Sequence, residues 1–144
     1  MKWVTRKDIR VNRTATAWLV ARFIDPEATF LFVETSEVAG VQARDGAIGF
    51  DAPGARYSHR DAFGRCSFEV LVEEHCGDDP ALRRMALIVR GADLSDQIDI
   101  TPESAGLRAI SRGFPLVAKD DHDTVQRASF LYDALYASLH EADA

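Results

Sequence analysis

The chain has 144 residues, a formal net charge of -6 and 28% charged residues. This length suits one domain with its own core, and the acidic balance argues against non-specific nucleic-acid binding, because no broad basic surface could displace phosphate counterions. The amino-terminal residues lack the apolar centre of a signal peptide, and no apolar run approaches the ~20 residues needed to cross a bilayer. We therefore expect one cytoplasmic domain over residues 1–144, with neither nucleic acid nor membrane as a partner, and with reduced cysteines.

The first third of the chain alternates between strand and helix signals. A strand is predicted over residues 2–5, and apolar residues at helical spacing predict a helix over residues 14–24, with Asn12 as its N-cap. The β-rich run TFLFV, residues 29–33, is typical of a buried strand. A short helix follows this strand and ends at Gly46.

A turn signal, APG, separates the runs AIGFD and ARYSH. Two short runs on either side of such a turn are typical of paired strands. The pattern therefore predicts a hairpin-like pair that delivers His59 to a strand end, where a loop begins.

The second half of the chain is predicted to be helical. SFEVLVEEHCG forms one candidate helix, and the next begins at Pro80, is capped by Asp79 and ends at Gly91. Similar signals predict a helix over residues 102–113 and a last helix over residues 123–140. The expected fold is α+β: a mostly helical single domain with a small sheet built from the N-terminal half.

Three titratable residues stand out as possible metal ligands. His122 lies in the cluster KDDHD at a helix start, where carboxylates act as caps but a protonated imidazole meets the unfavourable end of the helix dipole. Asp93 lies at a helix C-terminus, where capping does not explain a carboxylate, and His59 lies at the start of a loop. Two imidazoles and a carboxylate would suit zinc, manganese or iron. The alternative is that these residues are ordinary hydrogen-bonded polar groups, because their wide spacing matches no local metal motif.

The arginines support a second hypothesis, in which the ligand is a small oxyanion such as chromate or sulfate. Arg10 and Arg13 flank the start of the first helix, and Arg60 follows His59 directly. Guanidinium groups bind tetrahedral anions through charge-assisted hydrogen bonds, so Arg13 and Arg60 are the candidate ligand-binding residues. The alternative is a solvated face with ordinary ion pairs.

Catalysis and self-association are further possibilities. The sequence contains no GxSxG, Walker, GxGxxG, HExxH or CxxC motif, so no established catalytic class is indicated. If the domain is an enzyme, His59, Asp61 and His122 are the candidate catalytic groups. If it is an interaction domain, the last helix around Tyr132 and Tyr136 is the expected homodimer surface.

Several distinctive blocks follow one another along the chain: KWVTR, NRTATAWLVARFIDPEATFLFV, GAIGFDAPG, SHRDAFGRCSFEVL, DDPALRRMALIVRGAD, SAGLRAIS and DDHDTVQRASFLYDALYA. Together they resemble the C-terminal domain of the chromate resistance protein ChrB family. The resemblance implies an association with chromate resistance operons, in which full-length members are chromate-responsive regulators with an additional N-terminal domain that contacts DNA. The chain starts at the KWVTR block, so we carry no DNA binding over and expect a stand-alone sensor, accessory protein or small enzyme.

The resemblance also bears on particular residues. It places His59 in the family's SH block, Cys66 in its CSF block and Asp93 in its RGAD block. Asp121 and His122 fall in its DDH block.

The chain departs from the family pattern in three places. Asn12 stands where the family usually has an aspartate, and Thr16 with Ala17 replaces a usual Cys-Pro pair. An acid that the family commonly carries shortly before the CSF block is replaced by Gly64. Asp61 is the candidate substitute for that acid.

Overall fold

Three short strands form a parallel sheet in the computed structural model, which describes residues 1–142. The strands are β1 (Lys2–Arg6), β2 (Thr29–Val33) and β3 (Ile48–Gly49). They lie in the order β2-β1-β3, with β1 in the centre and parallel to both neighbours. All of them come from the first half of the chain, as predicted.

Helices account for most of the remaining structure. They are α1 (Val11–Leu19), α2 (Val38–Asp45), α3 (Ser67–Cys76), α4 (Pro80–Asp93), α5 (Ser104–Val117) and α6 (Asp121–Ala142). A π-helical segment, Val20–Ile24, extends α1. Within residues 1–142, no helix is both long and apolar enough to cross a membrane. The predicted α+β class, dominated by helices, is confirmed.

The two faces of the sheet are covered by different helices. Trp3 belongs to the larger core, together with Ala15 and Trp18 of α1, whereas Val4 packs with Val38 and Val41. Successive residues of a strand point to opposite faces, so α1 and α2 cover opposite sides of the sheet. The chain thus reverses its direction of winding at β1. In open parallel sheets, ligands bind outside the carboxyl ends of the strands at such a reversal, here between β1 and β3.

The predicted hairpin is wrong. β3 pairs with β1 in parallel, and Phe50 forms only an isolated parallel bridge with Tyr57. The local pattern indicated the turn, but the true partner of β3 is the distant first strand, β1, which a local pattern cannot show. His59 therefore lies in an irregular loop instead of at a strand end.

Three predicted helix signals are also corrected. α1 begins before Asn12, whose buried side chain donates to the Ser67 hydroxyl instead of capping. α4 continues through Gly91 to Asp93. The glycine serves close packing instead of ending the helix, since a Cβ at this position would meet atoms of Ile100 and Ser104 at 2.4 Å. α5 likewise continues beyond Gly113 to Val117.

Other predicted ends are confirmed. The Asp79 carboxylate accepts hydrogen bonds from the backbone N–H groups of Ala81 and Leu82 and caps α4, with Pro80 in the first turn. Gly46 ends α2 in the left-handed conformation that favours glycine.

Candidate functional site

An arginine-lined cleft lies at the carboxyl edge of the sheet, at the reversal between β1 and β3. Its volume is about 250 Å³, which is room for a small anion and several water molecules. Residues from β1, the start of α1, the loop after β3, the end of α4 and the middle of α5 meet there. The lining consists of Arg6, Arg10, Val11, Asn12, Arg13, Asp51, Ala92, Asp93, Arg108, Ser111 and Arg112.

Asp51 organises the charged groups of the cleft. It lies two residues after β3, is 2% exposed and adopts a positive φ of 49°, which aspartate tolerates better than most residues. Its Oδ1 lies 3.5 Å from Arg6 Nη2, and its Oδ2 lies 3.6 Å from Arg13 Nε. Arg6 Nε also donates to the Asp51 carbonyl at 2.9 Å. The end of β1, the start of α1 and the end of β3 are thus joined through one carboxylate.

Arg13 is the most enclosed cation of this group. Burial lowers the pKa of its guanidinium, while the Asp51 carboxylate opposes that effect. An arginine remains charged in a protein, so a buried positive charge is held at the cleft wall. Its Nη atoms donate to the carbonyls of Arg6 and Asp8 at 3.4 and 3.3 Å. These contacts fix the guanidinium against the segment that connects β1 to α1.

His59 reaches the same carboxylate from the loop that follows Tyr57. Its Nδ1 lies 2.5 Å from Asp51 Oδ1, and the ring is 44% exposed. This hydrogen bond, together with the nearby charges of Asp51 and Asp93, raises the pKa of the imidazole against the opposing effect of burial. The protonated, cationic form of His59 is therefore favoured by the site.

Asp93, the last residue of α4, completes the acidic wall of the cleft. Its Oδ2 lies 3.8 Å from His59 Nδ1 and is buried without a hydrogen-bond partner among residues 1–142. Burial, followed by repulsion from Asp51, raises the pKa of this carboxyl to about 6, although His59 and Arg13 act in the opposite direction. The structure therefore brings together two of the three predicted metal ligands, His59 and Asp93.

α5 supplies the far wall. Arg108 donates from Nη1 to the Ala92 carbonyl at 3.3 Å, which ties α5 to the end of α4. The buried Ser111 donates to the Arg108 carbonyl at 3.0 Å. Arg112 lies on the exposed side of the cleft, and Arg10 lies opposite, at the start of α1.

The KDDHD cluster divides between two roles. Asp120 and Asp123 make local caps: Asp120 Oδ1 accepts from Asp123 N, and Asp123 Oδ2 accepts from Lys119 N. Asp121 instead reaches the segment before α1.

The Asp121 carboxylate accepts from the backbone N–H groups of Asp8 and Ile9 at 2.9 and 3.0 Å. His122 is exposed, and its ring packs edge-on against Phe32 with centroids 4.9 Å apart. It does not line the cleft.

Three further predicted residues lie outside the cleft lining: His59, which contacts the cleft carboxylates from its loop, Arg60 and Asp61. Asp61 accepts from the backbone N–H groups of Phe63 and Arg65 and pairs with the Arg65 guanidinium at 2.7 Å, so it holds its own loop together. Arg60 Nη2 lies 4.0 Å from Asp96 Oδ2, and the side chain is half exposed.

The metal hypothesis gains no geometric support. Across the part of the chain that the structure describes, no group of three or more His, Cys, Asp or Glu side chains is arranged to hold a metal ion. Cys66, considered as a sulfur ligand, is buried at the start of α3, and burial raises the pKa of its thiol. A zinc, manganese or iron ion therefore stays a prediction.

The two tyrosines predicted to centre a dimer surface on the last helix are used inside the fold, and a homodimer stays a prediction. Tyr132 is completely buried, and its hydroxyl contacts Thr14 Oγ1 at 2.6 Å. Tyr136 packs against Trp18 and donates to Asp79 Oδ2 at 2.7 Å. Both tyrosines thus belong to the contact between α6 and the rest of the fold.

The sequence prediction missed Asp51, Arg6 and the two arginines of α5. Arg6 and Asp51 each stand at the end of a strand, and such positions meet at one edge when the strands are parallel. That signal was present in the sequence, but the hairpin interpretation concealed it. Nothing local pointed to Arg108 and Arg112, because only tertiary packing brings α5 to the cleft.

Comparison with known proteins places these observations in a family. The model described as "ChrB, C-terminal domain" matches residues 3–139. The chain belongs to the ChrB C-terminal domain family. Protein ChrB of Cupriavidus metallidurans is 35% identical to it over 138 residues, which is 94% of this chain and 40% of that relative. This ChrB-family chain thus spans about 40% of the length of the curated relative it matches. No solved structure matches it.

Proposed function

We propose that this ChrB-family domain is a cytoplasmic binding module for a small tetrahedral oxyanion of the chromate and sulfate class. The ligand occupies the arginine-lined cleft, where guanidinium groups hold its oxygens by charge-assisted hydrogen bonds. Membership of the family supports chromate as the physiological ligand, in keeping with a role in chromate resistance. No bond of the anion needs to be broken for this function.

The observation that carries the proposal is the concentration of positive charge in the cleft. Its lining includes five of the 17 lysine and arginine residues of a chain whose net charge is -6. Two carboxylates share the lining, so the arginines exceed the acids there even with both acids ionised. A concave site lined by one sign of charge concentrates ions of the opposite sign. An excess of cations on an otherwise acidic protein favours an anionic ligand.

The backbone at the start of α1 adds to the positive electrostatic potential of the cleft. Val11, Asn12 and Arg13 form the first turn of α1 and line the cleft, and no side chain caps that helix start within the described residues. The N–H groups of a first helical turn have no partners inside the helix, and the helix dipole is positive there. The helix start therefore reinforces the attraction that the arginines supply.

The proposal is tested by calorimetric titration of the protein with chromate and with phosphate. We expect saturable binding that Arg13→Ala weakens by roughly 10- to 100-fold, the equivalent of one charge-assisted hydrogen bond. Arg108→Ala is expected to weaken binding in the same direction, because its guanidinium lines the opposite wall. Binding should also fall as salt is added, since salt screens the field of the cleft.

Arg60→Ala is the matched control. It removes the same side chain from the loop beside His59, but Arg60 does not line the cleft. We expect its affinity to equal that of the unchanged protein. The proposal fails if no oxyanion binds, or if Arg13→Ala and Arg60→Ala reduce affinity equally.

A further inference from the structure

The cleft is not uniformly cationic, because one wall carries two carboxylates side by side. Asp51 and Asp93 both line the cavity, and Asp51 repels Asp93 strongly enough to alter its ionisation. A site that only attracts negative charge gains nothing from acids at this position. The acidic wall therefore calls for a separate explanation.

The two carboxylates differ in how fully the protein satisfies them. Asp51 has His59 Nδ1 at 2.5 Å and the guanidinium groups of Arg6 and Arg13 at 3.5 and 3.6 Å. Within the described part of the chain Asp93 Oδ2 has no hydrogen-bond donor, and His59 Nδ1 lies 3.8 Å from it. A buried acceptor without a donor costs about 1 to 3 kcal/mol, so such groups are rare. The nearby donor groups of the protein thus contact Asp51, and a donor for Asp93 would have to come from a bound ligand or from solvent.

An oxyanion can supply that donor only if it carries a hydroxyl group. A fully ionised anion presents acceptor oxygens alone, and an oxygen against the Asp93 carboxylate is repelled. A protonated anion directs its O–H toward Asp93 and its other oxygens toward the arginines. Asp93 lines the cavity, so a ligand hydroxyl can meet its carboxylate there, and the buried Oδ2 shares the negative charge that this hydroxyl stabilises.

We propose that Asp93 makes the cleft selective for oxyanions that carry a hydroxyl, such as hydrogen phosphate and hydrogen chromate, over fully ionised ones such as sulfate. The inference rests on the proposed function and names the ligand form that the site accepts. Asp93 is then a specificity-determining residue that contacts the ligand.

Sulfate and phosphate are the probes that test this selectivity. The two anions have the same shape, but sulfate carries no proton at neutral pH, whereas phosphate carries at least one. We expect the unchanged protein to bind phosphate roughly 10- to 100-fold more tightly than sulfate, the equivalent of leaving a buried polar group unpaired. This arm needs no variant, so it holds even if a substitution prevents folding.

Asp93→Asn is the decisive variant, because it keeps the shape of the side chain and replaces one acceptor by an N–H donor. We expect its sulfate affinity to rise and its phosphate affinity to fall, so that the preference for phosphate is lost. Asp96→Asn is the matched control: it removes the same charge three residues further along, where Asp96 does not line the cleft. Its preference should equal that of the unchanged protein.

Failure of this inference is distinguishable from failure of the proposed function. If the unchanged protein binds sulfate and phosphate equally, or if Asp93→Asn leaves their ratio unaltered, Asp93 does not set specificity while anion binding stands. If neither phosphate nor chromate nor sulfate binds, the proposed function fails and this inference fails with it.

Discussion

The surroundings of His59 and His122 show how differently two similar sequence positions can be used. Both histidines lie within two residues of an aspartate in a polar run, and both are partly or fully exposed. His59 meets the buried Asp51 carboxylate and lies near Asp93, two acids of the cleft wall, without lining the cleft itself. His122 packs on Phe32, while its neighbour Asp121 reaches a distant loop.

The difference lies in burial and partners, not in residue type. Asp51 is 2% exposed and takes part in ion pairs with three cationic groups, so a change there alters a charge network away from water. The acids beside His122 make hydrogen bonds to backbone N–H groups near the surface. We therefore expect substitutions to have large effects near His59 and small ones at His122.

The largest effect is expected for Asp51→Asn. Asparagine tolerates the positive φ and fills the same volume, so the change removes the charge that pairs with Arg6, Arg13 and His59 and turns one acceptor oxygen into an N–H donor without altering the backbone. Breaking a buried ion pair by removing one partner costs about 3 to 5 kcal/mol, and we expect that loss in the free energy of unfolding at neutral pH. Chemical denaturation measures it. Asp8→Asn is the control, because Asp8 also has a positive φ but is exposed.

A loss below about 1 kcal/mol, or an equal loss in the two variants, would mean that the charge of Asp51 does not hold the site together.

The next effect is a gain in stability that depends on pH. The pKa of Asp93 is raised from 3.8 to about 6 in the folded protein. The protonated form is thus favoured by folding, and this contribution is fully present below about pH 4 and lost as the pH rises through 6. The asparagine of Asp93→Asn does not ionise. We therefore expect its free energy of unfolding to exceed that of the unchanged protein by up to about 3 kcal/mol above pH 6 and to be closer to it below about pH 4.

Denaturation curves measured at several pH values test this difference. For Asp96→Asn, the dependence of the free energy of unfolding on pH should parallel that of the unchanged protein over the whole range. Parallel curves for Asp93→Asn as well would contradict the raised pKa of Asp93.

The smallest effects are expected for alanine substitutions of the two histidines. His59→Ala removes a half-exposed hydrogen bond to a carboxylate, and we expect a cost of about 1 kcal/mol. Because the pKa of His59 is raised, this stabilisation is present at low pH and is lost as the pH rises through the folded pKa. His122→Ala should cost no more than about 0.5 kcal/mol at any pH.

Thermal or chemical unfolding of both variants in acidic and alkaline buffer provides the measurement. Equal costs at the two positions would remove the distinction between them.

The sequence predicted the features that depend on neighbouring residues. The strand TFLFV, the Asp79 cap and the helix end at Gly46 follow from local chemistry, and the structure confirms all three, although the strand lies at the sheet edge and none of its residues is fully buried. The helix end predicted at Gly91 was wrong. That glycine is required by the close approach of Ile100 and Ser104, which only the tertiary fold brings near.

The site was predicted in part for the same reason. His59, Asp93 and Arg13 were identified because each was poorly explained by its immediate sequence or belonged to an arginine cluster. Asp51 was not identified because it directly precedes the turn signal APG, and an aspartate is common beside a turn. Its importance comes from the parallel pairing of β3 with a strand more than 40 residues earlier.

The hydrogen bonds from Asp8 and Ile9 to Asp121 have a mechanical consequence. They join the first residue of the 22-residue helix α6 to the short segment that leads from β1 to the first arginine of α1. That segment leads to Arg10 and Arg13, which line the cleft, so the cleft wall and the amino end of the helix are mechanically connected. Because Ala128, Tyr132 and Leu139 of the same helix lie in the main core, these two hydrogen bonds anchor the cleft wall to the body of the fold.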